Sequence, residues 1–310
     1  MTDNEFLLQD RIQKIRQIIN KYGEENFYLS FSGGKDSTVL SELVDMAISN
    51  NQIPRVYANT GIELNMIRDF VFDMQKADDR VVIIKPSMPI KPMLERDGYP
   101  FKSKMHSSMV ARYQSKGMDY KSVRAYAGVE NTLSGKPMFN PCPKILKYQF
   151  EGNIPLKISD KCCLNLKENP INQWSKENNR PYGILGIMRD EGGRRYDAQC
   201  LAFKSNKLWH FQPLSPITKD WETWFIEEYG IKICDIYKEP YNFKRTGCKG
   251  CPFAKDLQYE LDILEQFFPD ERKQCEIIWK PVYDEYRRIG YRLKKQYEHQ
   301  MTIDEWMNGN

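Results

Sequence analysis

Phe27-Tyr28-Leu29-Ser30-Phe31 is an apolar run that breaks at once into Ser32-Gly33-Gly34-Lys35-Asp36-Ser37-Thr38. The run reads as a buried strand, and Val39, Leu40, Leu43, Val44, Ala47 and Ile48 recur at helical spacing beyond it. A glycine loop between a strand and a helix has few uses. The first amides of a helix lack internal partners and lie at its positive end, so they form a cradle for phosphate. Gly33 and Gly34 let the backbone approach an anion closely. Lys35 adds a mobile charge, and Ser32, Ser37 and Thr38 add hydroxyls. A Walker loop is excluded, because it needs four residues between its first glycine and a Gly-Lys-Ser/Thr ending. The purely structural alternative is a Gly-Gly turn capped by Asp36.

Strand and helix go on alternating after this loop. Residues 5–22 predict a helix with Phe6, Leu7, Ile12, Ile15, Ile18 and Ile19 on its apolar face, ended by Gly23. Arg55–Ala58 and Val81–Ile84 predict a second and a third strand around a helix from about Met66 to Gln75. This order predicts an α/β fold with a doubly wound, mostly parallel sheet that binds ligands at the carboxyl ends of its strands. Thr60, Gly61 and Glu63, just past the second strand, are assigned to the same ligand edge as the glycine loop.

Residues 88–150 interrupt the pattern and read as an irregular helical insertion, too long for a connecting loop. The sheet resumes at Gly183–Ile187, and Trp209-His210-Phe211 suggests one more strand. Beyond Ile217 the chain turns helical, with Trp221, Trp224, Phe225, Ile226 and Tyr229 as core candidates. The expected organisation is an α/β domain over 1–215, carrying the insertion, and a helical C-terminal region over 216–310.

Hydrophobic residues make up 41% and charged residues 28%, as in an ordinary globular protein. No run has the length of a membrane span and the N-terminus is not signal-like, so a cytoplasmic location is expected. The net charge of +4 is uneven: residues 91–147 carry +7, which leaves −3 elsewhere. That segment suits phosphate-rich partners, nucleic acid included, or is simply a solvated insertion.

Eight cysteines in a cytosolic-looking chain point to metal or redox chemistry before disulfides. Cys162-Cys163 and Cys248-Lys249-Gly250-Cys251 form an adjacent pair and a CxxC pair. Four such thiolates suit a tetrahedral zinc, the commoner outcome of spacing alone, or an iron-sulfur cluster. Cys142, Cys200, Cys234 and Cys275 are read as small core residues. His106, in the basic insertion, is a weak ligand candidate. Glu63 and Asp190 stand at predicted strand ends, where acid-base work and helix capping are both open. The tail aromatics Phe267, Phe268, Trp279, Tyr283, Tyr286 and Tyr291 are read as packing, with nucleic-acid contact as the alternative because basic residues interleave them.

The words Ser32-Gly33-Gly34-Lys35-Asp36-Ser37 resemble the PP-loop of the ATP pyrophosphatase, or adenine nucleotide alpha hydrolase, superfamily. Lys161–Lys167, Gly186-Ile187-Met188-Arg189-Asp190 with Arg194, Pro213-Leu214 with Trp221, and Gly247–Cys251 resemble the ordered landmarks of the phosphoadenosine phosphosulfate (PAPS) reductase family. The similarity is greatest to its adenylylsulfate reductase branch and runs from Phe27 to about Ala254. It implies a 4Fe-4S cluster on Cys162, Cys163, Cys248 and Cys251, with Lys167 near it. It also implies ATP with Mg²⁺ at the loop, where Lys35 suits the departing pyrophosphate, Asp36 suits Mg²⁺ directly or through water, and Arg189 and Arg194 suit phosphate oxygens, with an ordinary surface role as the alternative for the two arginines.

Two departures separate the chain from the reductases. Their terminal Glu-Cys-Gly-(Leu/Ile)-His word is absent, since only Cys275 follows Cys251. Their loop is also worn down, whereas Ser32–Ser37 keep the full ATP-handling form. The resemblance therefore implies ATP cleavage between the α and β phosphates in service of sulfur transfer, as in DNA phosphorothioation or tRNA thiolation. The implied partners are DNA or tRNA as acceptor and a sulfur-donor protein such as a cysteine desulfurase. The alternatives are a thioredoxin-dependent sulfonucleotide reductase and a non-catalytic nucleotide- or nucleic-acid-binding module of a defence or mobile-element system.

Overall fold

In the computed structural model, which describes residues 1–152, 154–191 and 195–294, the apolar run Phe27–Phe31 is strand β1. It forms the middle of a six-stranded sheet in the order β3-β2-β1-β4-β6-β5, with β2 at Arg55–Ala58, β3 at Val81–Ile84, β4 at Tyr182–Ile184, β5 at Leu201–Lys204 and β6 at Lys207–Phe211. All pairings are parallel except β5 with β6. The doubly wound, mostly parallel α/β architecture expected from the alternation is thus present.

This sheet belongs to the first of two units into which the chain divides, Met1–Ile90 with Cys163–Cys248. Its helices are α1 (Asp3–Tyr22), α2 (Lys35–Ala47), α3 (Asn65–Ala77), α7 (Asn169–Glu177) and α8 (Lys219–Glu228). Thr2 and Glu5 cap α1 reciprocally, and Gly23 follows its last turn. The core joins Leu8, Ile15 and Ile19 of α1 to Leu29, Leu40, Leu43, Ile184, Phe211, Trp221 and Phe225. Two expected core residues are exposed instead, Phe6 at 62% and Tyr229 at 43%. Leu8 takes the buried place on α1, and Tyr229 lies just past the end of α8.

The second unit combines Lys91–Cys162 with Lys249–Asn310. It therefore does not follow the boundary expected at residue 215: α8 stays with the sheet, while the insertion shares a unit with the last two described helices. The insertion holds α4 (Ile90–Asp97), α5 (Lys104–Lys116) and α6 (Lys121–Ala127), and the later segment holds α9 (Leu257–Phe267) and α10 (Pro269–Ile289). Isolated helices of this kind cannot bury their apolar faces alone. Phe101 of the insertion packs edge-on against Tyr286 of α10, with ring centroids 4.6 Å apart.

His106 is fully buried in this unit, so the structure places it in the core rather than at a ligand. Its ring nitrogens face the Tyr126 hydroxyl at 3.0 Å and the Gln149 amide oxygen at 2.7 Å. Among the described residues no helix is long and apolar enough to cross a membrane.

Burial pushes the His106 imidazole down from 6.5 to about 4, and His210 on β6 is pushed to about 4 by the same cause. Because the folded value lies below the unfolded one, the native state binds fewer protons. Stability from these groups is present above pH 6.5 and is lost as the pH falls toward 4. For His106 alone the loss is on the order of 3 kcal/mol. A histidine NMR titration should show both rings still neutral at pH 5.5, and a midpoint near 6.5 for either would contradict their buried placement.

Candidate functional site

Strand order reverses between β1 and β4, since the chain leaves β1 toward β2 and β3 and returns to β4 on the other side. At such a switch point the loops beyond the carboxyl ends of the two strands diverge and leave a crevice. Ser32–Gly34 follow β1 there, and Gly186–Arg189 follow β4. The two approach closely: a Cβ added at Gly186 would lie 3.1 Å from the Asp36 carbonyl oxygen.

The loop is held open from beneath by its own hydroxyls. Ser37 Oγ donates to the Gly34 carbonyl at 2.8 Å, as does Thr38 Oγ1 at 3.1 Å, and the Ser32 and Ser37 hydroxyls are 3.0 Å apart. Ser37 and Thr38 are buried, so they brace the loop, while Ser32 is exposed at its mouth. Gly33 has φ +70°, and a Cβ there would meet Val71 Cγ2 at 2.5 Å. Only glycine fits this turn against α3.

Lys35 and Asp36 open α2, with their charged groups 3.1 Å apart. Lys35 also pairs with Glu222 of α8, a carboxylate that is 1% exposed. Sequence reasoning missed Glu222. The available signal was a charged residue three positions before buried Phe225, on the core side of a helix. Tyr237 was missed as well: its hydroxyl accepts from the Lys35 backbone N–H and is hydrogen-bonded to Thr246.

The loop after β2 lies at the same sheet edge. Glu63 accepts from the Thr60 amide at 3.1 Å and from the Thr60 hydroxyl at 2.6 Å, and its backbone pairs with that of Cys248. Thus the segment from Tyr237 to Cys248 passes from the glycine loop to the β2 loop. The Cys248 thiol is pushed up to about 11 by burial; the Lys167 charge opposes this, while Glu63 and Cys163 reinforce it. Lys167 stands in a π-helical turn, Leu164–Glu168, directly after Cys163, a distortion that often accompanies functional residues. Within the first unit the structure thereby brings together Cys163, Cys248, Lys167, Thr60 and Glu63.

The other two cysteines belong to the second unit. There α10 grips the CxxC loop along its length. Trp279 Nε1 donates to the Lys249 carbonyl at 2.9 Å, Tyr283 donates to that of Gly250, and Tyr286 donates to that of Pro252 at 2.9 Å. Lys249 forms a buried pair with Glu271 at 2.8 Å and bonds Gln274 at 3.0 Å. These three tail aromatics are buried anchors of the loop. Cys275 lies against Gly250, fully buried, with its thiol pushed to about 12. Cys142 and Cys234 are buried as expected, and Cys200 is half-buried.

Arg189 is exposed, donates from Nε to the Ala198 carbonyl at 2.6 Å, and lines an open cleft of about 420 Å³ with Tyr196, Asp197 and Gln199. Arg194 lies outside the described residues. The neighbouring Arg195 is within electrostatic reach of Asp36. Asp190 accepts from the Lys219 amide at 3.0 Å and so caps α8. Among the described residues no group of three or more His, Cys, Asp or Glu side chains is arranged to hold a metal ion.

Residues 141–254 match the family model described as phosphoadenosine phosphosulfate reductase domain, which bears out the resemblance to that family over this stretch. No curated protein matches the chain. Solved structures with a similar course include the PAPS reductase of Candida auris in a phosphate complex, at 12% identity, covering 80% of this chain and 96% of that one, TM-score 0.43. The U34-tRNA thiolase of Methanococcus maripaludis with its [4Fe-4S] cluster is 14% identical, with 96% and 84% covered and a TM-score of 0.38. The NH3-dependent NAD synthetase of Campylobacter jejuni is 11% identical, with 97% and 100% covered and a TM-score of 0.39.

The clamp on the CxxC loop leaves no room at its glycine. Gly250 has φ +59°, and an added Cβ would lie 2.4 Å from the Tyr283 hydroxyl and 2.8 Å from Cys275 Sγ. Gly250→Ala should therefore cost about 3 kcal/mol in denaturant unfolding followed by tryptophan fluorescence. Gly247→Ala, with nothing within 4 Å of its added Cβ, should change stability little. Equal effects of the two substitutions would contradict the clamp.

Proposed function

We propose that this protein is an enzyme that binds ATP with Mg²⁺ and cleaves it between the α and β phosphates to activate an acceptor for sulfur transfer. The observation that carries this reading is the position of Ser32–Thr38 at the carboxyl end of β1, at the point where strand order reverses. The match to the sulfonucleotide reductase domain supports nucleotide chemistry at a coarser level.

In this reading an acceptor oxygen attacks the α phosphorus, and the bond to the bridging oxygen breaks with its electron pair leaving on pyrophosphate. Lys35 and the amides at the start of α2 neutralise that leaving group. Asp36 orients Mg²⁺, and Arg189 and Arg194 hold phosphate oxygens. A sulfur nucleophile from a donor protein, such as a cysteine desulfurase, then displaces AMP from the acceptor. The +7 charge of residues 91–147 favours DNA or tRNA as that acceptor.

A 4Fe-4S cluster on Cys162, Cys163, Cys248 and Cys251 belongs to the same proposal. Thiols in an adjacent pair and a CxxC pair suit it chemically, and Cys163 and Cys248 are electrostatic neighbours. When bound, the cluster would supply a redox-active or sulfide-binding iron centre.

A sulfonucleotide reductase is the second reading, favoured by the family match itself. Against it stands Cys275, the one cysteine beyond the CxxC pair. It is fully buried with a raised thiol pKa, the reverse of a reactive nucleophile.

Anaerobically purified protein supplied with Mg²⁺ and DNA or tRNA as acceptor should release pyrophosphate from ATP, with Lys35→Ala lowering the rate by about 100-fold. It should also contain about four iron and four sulfide per chain. Sulfite release from adenylylsulfate with reduced thioredoxin as the two-electron donor, without pyrophosphate release from ATP, would overturn the first reading in favour of the second.

A further inference from the structure

The side chain best placed to act on the loop lysine is neither in the glycine loop nor in any landmark of the family resemblance. Glu222 lies on α8 with 1% exposure, and its Oε2 is paired with Lys35 Nζ. Its second oxygen, Oε1, is buried without a hydrogen-bond partner among the described residues. A buried carboxylate held by a single cation is a costly arrangement for stability alone. The backbone of Lys35 is engaged too, since its N–H donates to Tyr237, whose hydroxyl is tied to Thr246. Both polar ends of the residue expected to meet the leaving phosphate are thus occupied by the protein itself.

We infer that Glu222 is a built-in competitor for Lys35: it holds the lysine toward α8 until a pyrophosphate-bearing ligand takes the ammonium group from it. The inference rests on the proposed nucleotide reading and adds a regulator of affinity to that site. Ligand binding requires exchange of one anionic partner for another at Lys35, so intrinsic phosphate affinity is reduced by the strength of the internal pair. The arrangement keeps Lys35 oriented by a partner from α8. It also selects for ligands with at least two adjacent phosphates, because a singly charged anion competes poorly with a desolvated carboxylate.

Glu222→Gln removes the charge and keeps the shape. Isothermal titration of the whole chain with inorganic pyrophosphate and with Mg-ATP should show binding about tenfold tighter in this variant than in wild type. Glu222→Asp, which keeps the charge, should stay within about twofold of wild type. If Glu222→Gln does not fold, Glu222→Met, which fills the volume without charge, carries the same expectation. Unchanged or weaker binding in the neutral variants would overturn the inference.

Competitive acetylation read by mass spectrometry tests the pair without any nucleotide. Lys35 should be protected in wild type and labelled several-fold faster in Glu222→Gln. If neither protein binds ATP or pyrophosphate while Lys35 labelling responds, the nucleotide reading fails and the pair stands. If Lys35 labelling does not respond, the pair itself is refuted.

Discussion

Parallel pairing of β1 with β2 on one side and β4 on the other is the constraint from which the rest follows. Parallel strands share a carboxyl edge, so the loops after β1, β2 and β4 must emerge together. A glycine-rich loop at any other place in the sheet would face no neighbour that could complete a phosphate site. Here the first turn of the helix that follows it meets Gly186 beyond β4, and the loop lies one strand from Thr60 and Glu63 beyond β2. The backbone pairing of Glu63 with Cys248 brings a cysteine to the same edge.

The second unit solves a different problem. A CxxC loop is short and glycine-bearing, and such a loop is mobile unless something fixes its carbonyls. Helix α10 supplies Trp279, Tyr283 and Tyr286 as donors along one face, and Glu271 neutralises buried Lys249. Each anchor is amphipathic: its ring fills the core while its N–H or O–H ends on the loop. Replacing such residues by purely apolar ones would keep the packing and leave buried carbonyls without donors.

Much of this is legible in the sequence alone. Strands β1, β2 and β3 are short apolar runs bounded by turn residues, and the loop after β1 has local chemistry that fixes its role in a strand-to-helix junction. What escaped detection depends on neighbours distant in sequence. Strand β5 is a half-exposed edge strand with no apolar alternation. Phe6 is exposed and Leu8 buried because the contact face of α1 is set by the helix and sheet it meets. Glu222 and Tyr237 approach the loop only through tertiary packing: a charge on the core side of α8 marks Glu222 as buried, but nothing local to either residue says which loop it meets. The union of the insertion with α9 and α10 was likewise hidden, since periodicity shows an apolar face but not which segment will cover it.

The most direct test of the central claim follows the backbone amides of ¹⁵N-labelled protein during titration with Mg-ATP. Binding of the phosphates at the switch point predicts that the largest shifts fall on Gly33, Gly34, Lys35 and Asp36, with smaller ones at Gly186 and Ile187. Shifts concentrated elsewhere, with those amides unmoved at saturation, would contradict the account.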